Sequence, residues 1–177
     1  IERKLSNLRH FYARGIRYCT LAHARWNHIS DASYDTVRHW NGLSPFGRRV
    51  VAEMNRLGMM IDVSHLTDSA AMQAIRLSRA PVIASHSSCR EFTPGFERNA
   101  GDELIRAIAA SGGVVQVNFG SEFIDNDYRL QEVRERKEIR EHFAGVSPRP
   151  DEKTLEKYAA EYRAEHPMPF PGVGRVA

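Results

Sequence analysis

The chain has 177 residues, about one domain, with 42% hydrophobic and 27% charged residues, an ordinary globular composition. Its 25 basic and 22 acidic residues are interspersed, and no basic cluster carries interleaved aromatics, so nucleic-acid binding is not expected. No apolar run approaches the ~20 residues that span a bilayer, and Cys19 and Cys89 form neither a disulfide framework nor a CxxC pair.

The predicted elements alternate along the chain. Leu5, Leu8, Phe11 and Tyr12 fall at helical spacing, with Gly15 as a stop. Residues 16–22, IRYCTLA, read as a strand that delivers His23. A long polar loop spans residues 24–43. Ser44-Pro45 is an N-cap followed by proline at the first helical position, and that helix ends at Gly58. MMIDV, residues 59–63, is an apolar run without alternation, as expected of a strand buried on both faces. Thr67-Asp68-Ser69 starts the next helix, and residues 81–85, PVIAS, form the third strand. Residues 86–100 read as a loop, residues 102–111 as a helix, and residues 113–119, GVVQVNF, as the fourth strand.

Helix and strand alternate four times, which predicts an α/β fold with a parallel sheet and helical crossovers. Four such units are half of a (β/α)8 TIM-type barrel, which takes about 250 residues. A small doubly wound sheet is the competing arrangement. The predicted organisation is residues 1–120 as central β/α units and residues 121–177 as a charged helical insertion and loop. Within the insertion, residues 127–143 and 151–165 repeat Glu and Arg or Lys three and four apart, as on solvated helices.

In parallel α/β folds the site lies at the C-terminal ends of the strands. Here those ends carry His23, then Asp62 and His65, then His86, then Asn118. Neutral imidazole is the commonest metal-binding side chain, and zinc favours nitrogen donors with one position left open in catalytic sites. A lone histidine after a strand is usually a polar loop residue; three at consecutive strand ends make a metal site the stronger reading. Asp62 is expected to be a supporting or structural carboxylate, and Cys89, three after His86, a loop thiol. His10, His39, His142 and His166 read as solvated, and His28 is ambiguous. Arg98 is either a surface residue or a bidentate clamp for a substrate carboxylate.

GIRYCTLAH, NGLSPFGRRVVAEMNRLGMMIDVSH, APVIASHSS, the Arg98-Asn99 pair and GGVVQVNF together resemble the membrane dipeptidase (renal dipeptidase) family of zinc peptidases, over about residues 1–120. The resemblance implies a β/α barrel with two zinc ions that hydrolyses dipeptides. His65 and His86 match the two histidines that hold one zinc. His23 matches a histidine that binds substrate and stabilises the tetrahedral intermediate, and Arg98 one that binds the terminal carboxylate. The family's His-x-Asp pair and bridging glutamate are expected before Ile1, and its proton-handling aspartate after Ala177. Glu2 has the wrong spacing for the bridging glutamate and reads as a helix N-terminal carboxylate. The chain therefore resembles the middle of such an enzyme, with two of the zinc ligands, and the fragment alone is expected to be inactive. A dipeptide substrate and a homodimer are the implied partners. Since the first residue is Ile1, the N-terminus is expected to be missing, and the compartment, periplasmic or cytoplasmic, stays open. Another barrel metallohydrolase acting on small amides, or a non-catalytic ligand-binding relic of the barrel, are the alternatives.

Overall fold

A computed structural model describes residues 1–148 and 150–167. The chain divides into two compact units, Ile1–Asn118 and Phe119–Ala177.

The first unit runs α1 (Leu5–Ala13), β1 (Tyr18–Thr20), α2 (Pro45–Leu57), β2 (Met60–Asp62), α3 (Asp68–Leu77), β3 (Ile83–Ala84), α4 (Asp102–Ala110) and β4 (Val114–Val115). Local chemistry sets the helix ends. The Ser44 hydroxyl accepts from the Gly47 N–H at the start of α2, and Gly58 closes that helix at φ 77°. Thr67 caps α3 by accepting from the Ala70 N–H. Asp102 and Glu103 place negative charge in the first turn of α4, where the helix dipole favours it. Glu2 is not such a carboxylate: α1 begins only at Leu5 and has no acidic residue in its first turn. A 3₁₀ turn at Arg90–Phe92 interrupts the loop expected over residues 86–100.

The four strands are all parallel and ordered β1-β2-β3-β4, with Tyr18 opposite Met60, Asp62 opposite Ile83, and Ile83 opposite Val114. A doubly wound sheet reverses direction at a switch point. Among the described strands there is none, and their sequential parallel order is that of an arc of a β/α barrel. Right-handed crossovers put successive helices on one face of such a sheet. Ile61, Val63, Val82 and Ala84 share one core with Val51, Met54, Ala74 and Ile108 of the helices. Truncating a fully buried side chain such as Met54 costs about 2–5 kcal/mol.

The other face corrects one expectation. The strands are not buried on both sides: Tyr18 and Met60, opposite each other, and Val114, on the same face but level with Asp62, are 50%, 45% and 50% exposed. Side chains alternate along a strand, so the face away from the helices is the one that further barrel strands would cover.

Glu53 of α2 is buried, yet its carboxylate receives Arg9 Nε at 2.6 Å and Arg56 Nη2 at 2.7 Å. Hydrogen bonds from Arg56 and then Arg9 hold its pKa down to about 2, against 4.5 ordinarily. A carboxyl depressed in the folded state contributes stability above its unfolded pKa and loses it as pH falls through the folded one. Stability against denaturant in the full-length protein is therefore expected to fall as pH drops from about 4.5 to 2, and Glu53→Gln to flatten that decline.

The second unit comprises α5 (Ser121–Ile124), α6 (Asn126–His142) and α7 (Glu152–Glu165). Asp125 caps α6 through the Tyr128 N–H, and Asp151 caps α7 through the Thr154 N–H. Pairs such as Arg136–Glu132 lie on the solvated faces, and each contributes little. Glu135 is the exception: it is buried, and Arg163 grips it with two bonds of 2.6 and 2.9 Å. Among the described residues no helix is long and apolar enough to cross a membrane.

Candidate metal centre

Three adjacent parallel strands end in β1 Thr20, β2 Asp62 and β3 Ala84, and His23, His65 and His86 follow within three residues of each end. Parallel order puts those ends side by side, and the rings meet. His65 Nε2 lies 2.8 Å from His86 Nε2. His23, itself exposed, lays its ring against that of His65 at 4.2 Å between centroids and 32° between planes.

His65 has φ 67°, the left-handed region that a non-glycine residue enters only at a cost of about 1–3 kcal/mol. The Ser33 N–H donates to the His65 carbonyl at 2.8 Å and ties that backbone to the long loop. Burial, then the Arg98 guanidinium and the neighbouring His23 and His86 rings, push the His65 pKa down to about 3. Burial and Arg98 also lower His86. Both imidazoles are therefore neutral at neutral pH, the state in which a ring nitrogen can donate a lone pair to a metal.

His86 is held at three points. Its N–H donates to Ser64 Oγ at 3.1 Å, its carbonyl accepts from Arg98 Nη2 at 2.7 Å, and its Nδ1 lies 2.7 Å from Ser85 Oγ. Behind it sits Asp62, with no exposed surface. Oδ1 accepts the backbone N–H groups of Ser64 and Ser85, each at 3.0 Å. Oδ2 accepts the hydroxyls of Thr20 and Ser85, each at 2.6 Å. Burial opposes ionisation of Asp62, but the bonds from Ser85 and Thr20 outweigh it and keep the carboxyl below its ordinary pKa. One carboxylate thus knits β1, β2 and β3 together beneath the histidines.

Arg98 is not on the surface. It is 3% exposed and donates from Nη1 to Ser87 Oγ at 3.0 Å and from Nη2 to the His86 carbonyl. Tyr34 stands beside the site with no signal in the sequence: its ring is 5.8 Å from that of His65 and 5.9 Å from that of Phe96. The loop over residues 24–43 carries it. That loop is wound around buried Asp31, whose carboxylate accepts the backbone N–H groups of His39, Trp40 and Gly42. His28 packs on Phe46 at 5.7 Å, and Cys89 is a free thiol. His10, His39, His142 and His166 are exposed. Asn118 uses its backbone, bonding Ser88 Oγ through both N–H and carbonyl. Among the described residues no group of three or more His, Cys, Asp or Glu side chains is placed to hold a metal ion.

The sequence model of the membrane dipeptidase family, peptidase family M19, matches residues 1–162. The chain belongs to this family. An uncharacterized dipeptidase of Schizosaccharomyces pombe is 46% identical over 119 residues, which is 67% of this chain and 29% of that protein. Dipeptidase 3 of Rattus norvegicus is 38% identical, over 66% of this chain and 25% of its own length. The probable dipeptidase PvdM of Pseudomonas aeruginosa superposes with a TM-score of 0.76 at 28% identity, covering 98% of this chain and 48% of that one. A Rhodobacter sphaeroides metallo peptidase, liganded with a phosphinate mimic of the dipeptide L-Ala-D-Ala, superposes with a TM-score of 0.65 at 35% identity, over 71% of this chain and 36% of its own. The chain therefore spans between a quarter and a third of these curated M19 relatives and under half of the solved ones. Metal dependence comes with the family, one of whose structures is described as a dipeptidase and metallo peptidase.

Proposed function

We propose that this chain supplies the central part of the active site of a zinc-dependent dipeptidase. The observation that carries the reading is the pair of neutral imidazoles whose Nε2 atoms converge to 2.8 Å on adjacent strand ends. At that separation the two ring nitrogens share a proton; a zinc at about 2.0–2.1 Å from each would replace that proton with a small parting of the rings. His65 and His86 fit a shared zinc as two nitrogen donors of a larger set, with the remaining ligands and a second zinc outside the described residues. The zinc supplies Lewis acidity toward the scissile carbonyl and lowers the pKa of the attacking water.

The chain's own residues do the rest. His23, exposed beside His65, donates a hydrogen bond to the oxygen that gains charge as the carbonyl carbon becomes tetrahedral. Arg98 offers its positive charge to the substrate's free carboxylate, which favours dipeptides over longer chains. The phosphinate dipeptide mimic bound by the Rhodobacter sphaeroides relative supports a dipeptide substrate. The active assembly is a homodimer.

Metal analysis of the full-length protein, with hydrolysis assays on free dipeptides, acylated amino acids and other small amides, tests this reading. Two zinc ions per chain and a preference for free dipeptides are expected. A preference for the other amides would make it a different amide hydrolase. Hydrolysis of none of them would leave a ligand-binding barrel.

Arg98→Met is expected to raise KM for free dipeptides about ten- to a hundred-fold, the loss of a charge-assisted hydrogen bond, and to change KM little for C-terminally amidated ones. Because Arg98 also holds the His86 carbonyl, zinc content is measured alongside. Equal KM changes for both substrates would remove Arg98 from the carboxylate role.

A further inference from the structure

We infer that Ser85 is a positioning residue: it relays the Asp62 carboxylate to His86 and fixes His86 as the Nδ1–H tautomer, with the Nε2 lone pair turned toward His65. The metal consequence of this inference rests on the zinc reading above; the tautomer itself does not.

The argument is a count of hydrogens. Asp62 takes four donors, the Ser64 and Ser85 N–H groups on Oδ1 and the Thr20 and Ser85 hydroxyls on Oδ2, so both its oxygens act as acceptors and the group is an ionised carboxylate with no proton to give. Ser85 Oγ lies 2.6 Å from Oδ2 and carries a single hydrogen, which must lie between those two oxygens. Toward His86 Nδ1, 2.7 Å away, Ser85 Oγ then has only a lone pair to present. Two lone pairs cannot face each other at that distance, so Nδ1 carries the ring proton and Nε2 is bare. This is the carboxylate-to-histidine support that orients metal-binding imidazoles, with a serine inserted in the chain.

The two histidines are therefore unequal. Facing a bare His86 Nε2 at 2.8 Å, His65 must hold its own proton on Nε2 and donate it across the gap. Its Nδ1 is buried and has no hydrogen-bond partner among the described residues, so nothing pins its tautomer. Uptake of a cation between the rings requires the His65 proton to move from Nε2 to Nδ1, while His86 is already set.

The test uses the full-length protein with ¹⁵N-labelled histidines. Ring-nitrogen NMR in chelator-stripped protein reads the tautomer, with His86 assigned from its disappearance in His86→Ala. Competition against a chromophoric chelator reads zinc affinity. The parent is expected to show Nδ1–H at His86. Ser85→Ala should lose that preference and bind zinc at one site about 10- to 100-fold more weakly. Ser85→Thr, which keeps the hydroxyl, should restore both. Nε2–H on His86 in the parent would overturn the relay even if Ser85→Ala failed to fold. So would unchanged zinc affinity in a folded Ser85→Ala. Zinc content unchanged in His86→Ala would instead overturn the zinc reading, and it leaves the tautomer result standing by itself.

Discussion

Alanine at His86 is expected to remove one zinc per chain from the full-length protein and to lower kcat/KM at least about a thousandfold, some 4 kcal/mol of transition-state stabilisation. The ring supplies a neutral nitrogen 2.8 Å from that of His65, and no third His, Cys, Asp or Glu among the described residues stands ready to replace it. His65→Ala should do the same, and the double variant little more, because groups that act as one unit are not additive. His23→Ala should behave differently: it keeps both zinc ions and loses kcat, since the exposed His23 ring rests on His65 without approaching as a ligand. Elemental analysis alongside steady-state kinetics separates the outcomes. Full zinc content in His86→Ala would refute the assignment of this pair.

Gly47→Ala is expected to destabilise the protein by about 1–3 kcal/mol or more, the cost of overpacking against a well-fixed neighbour. Helix propensity alone has the opposite sign, since alanine is favoured over glycine by about 1 kcal/mol within a helix. Tertiary contact decides it. A Cβ at Gly47 would lie 2.1 Å from the Ile29 carbonyl oxygen and 3.0 Å from its carbon. That carbonyl is not free to move, because it accepts from the Ser44 N–H at 2.9 Å, and Ser44 Oγ donates to the neighbouring His28 carbonyl at 2.7 Å. The strain would pass into the loop over residues 24–43, which carries Tyr34 beside His65. A lower melting temperature accompanied by weaker substrate binding is therefore expected. Stabilisation by Gly47→Ala would show that the close approach of loop and helix is absent.

The local features of this chain were legible in its sequence because their causes are local. Ser44-Pro45, Thr67 and Gly58 bracket helices through bonds and dihedrals made within a few residues. The alternation of helix and strand, and histidines placed just past three strand ends, needed only chain order. Other features depend on partners far apart in the chain. The sequential strand order and the solved relatives favour the barrel arc over the doubly wound sheet, and the open inner face left Met60 half-exposed where an unbroken apolar run suggested burial. Asp62 looked like one supporting carboxylate among many, and only the parallel register brings Thr20 and Ser85 to its oxygens. Arg98 read equally well as surface or clamp until the turn of the loop after β3 carried it beneath the His86 carbonyl. The left-handed backbone of His65 and the approach of Tyr34 have no sequence signal, because each is imposed by contact with the loop over residues 24–43. Caps and periodicity specify which segments form; packing between segments specifies where a proton sits on an imidazole and which glycine cannot be changed.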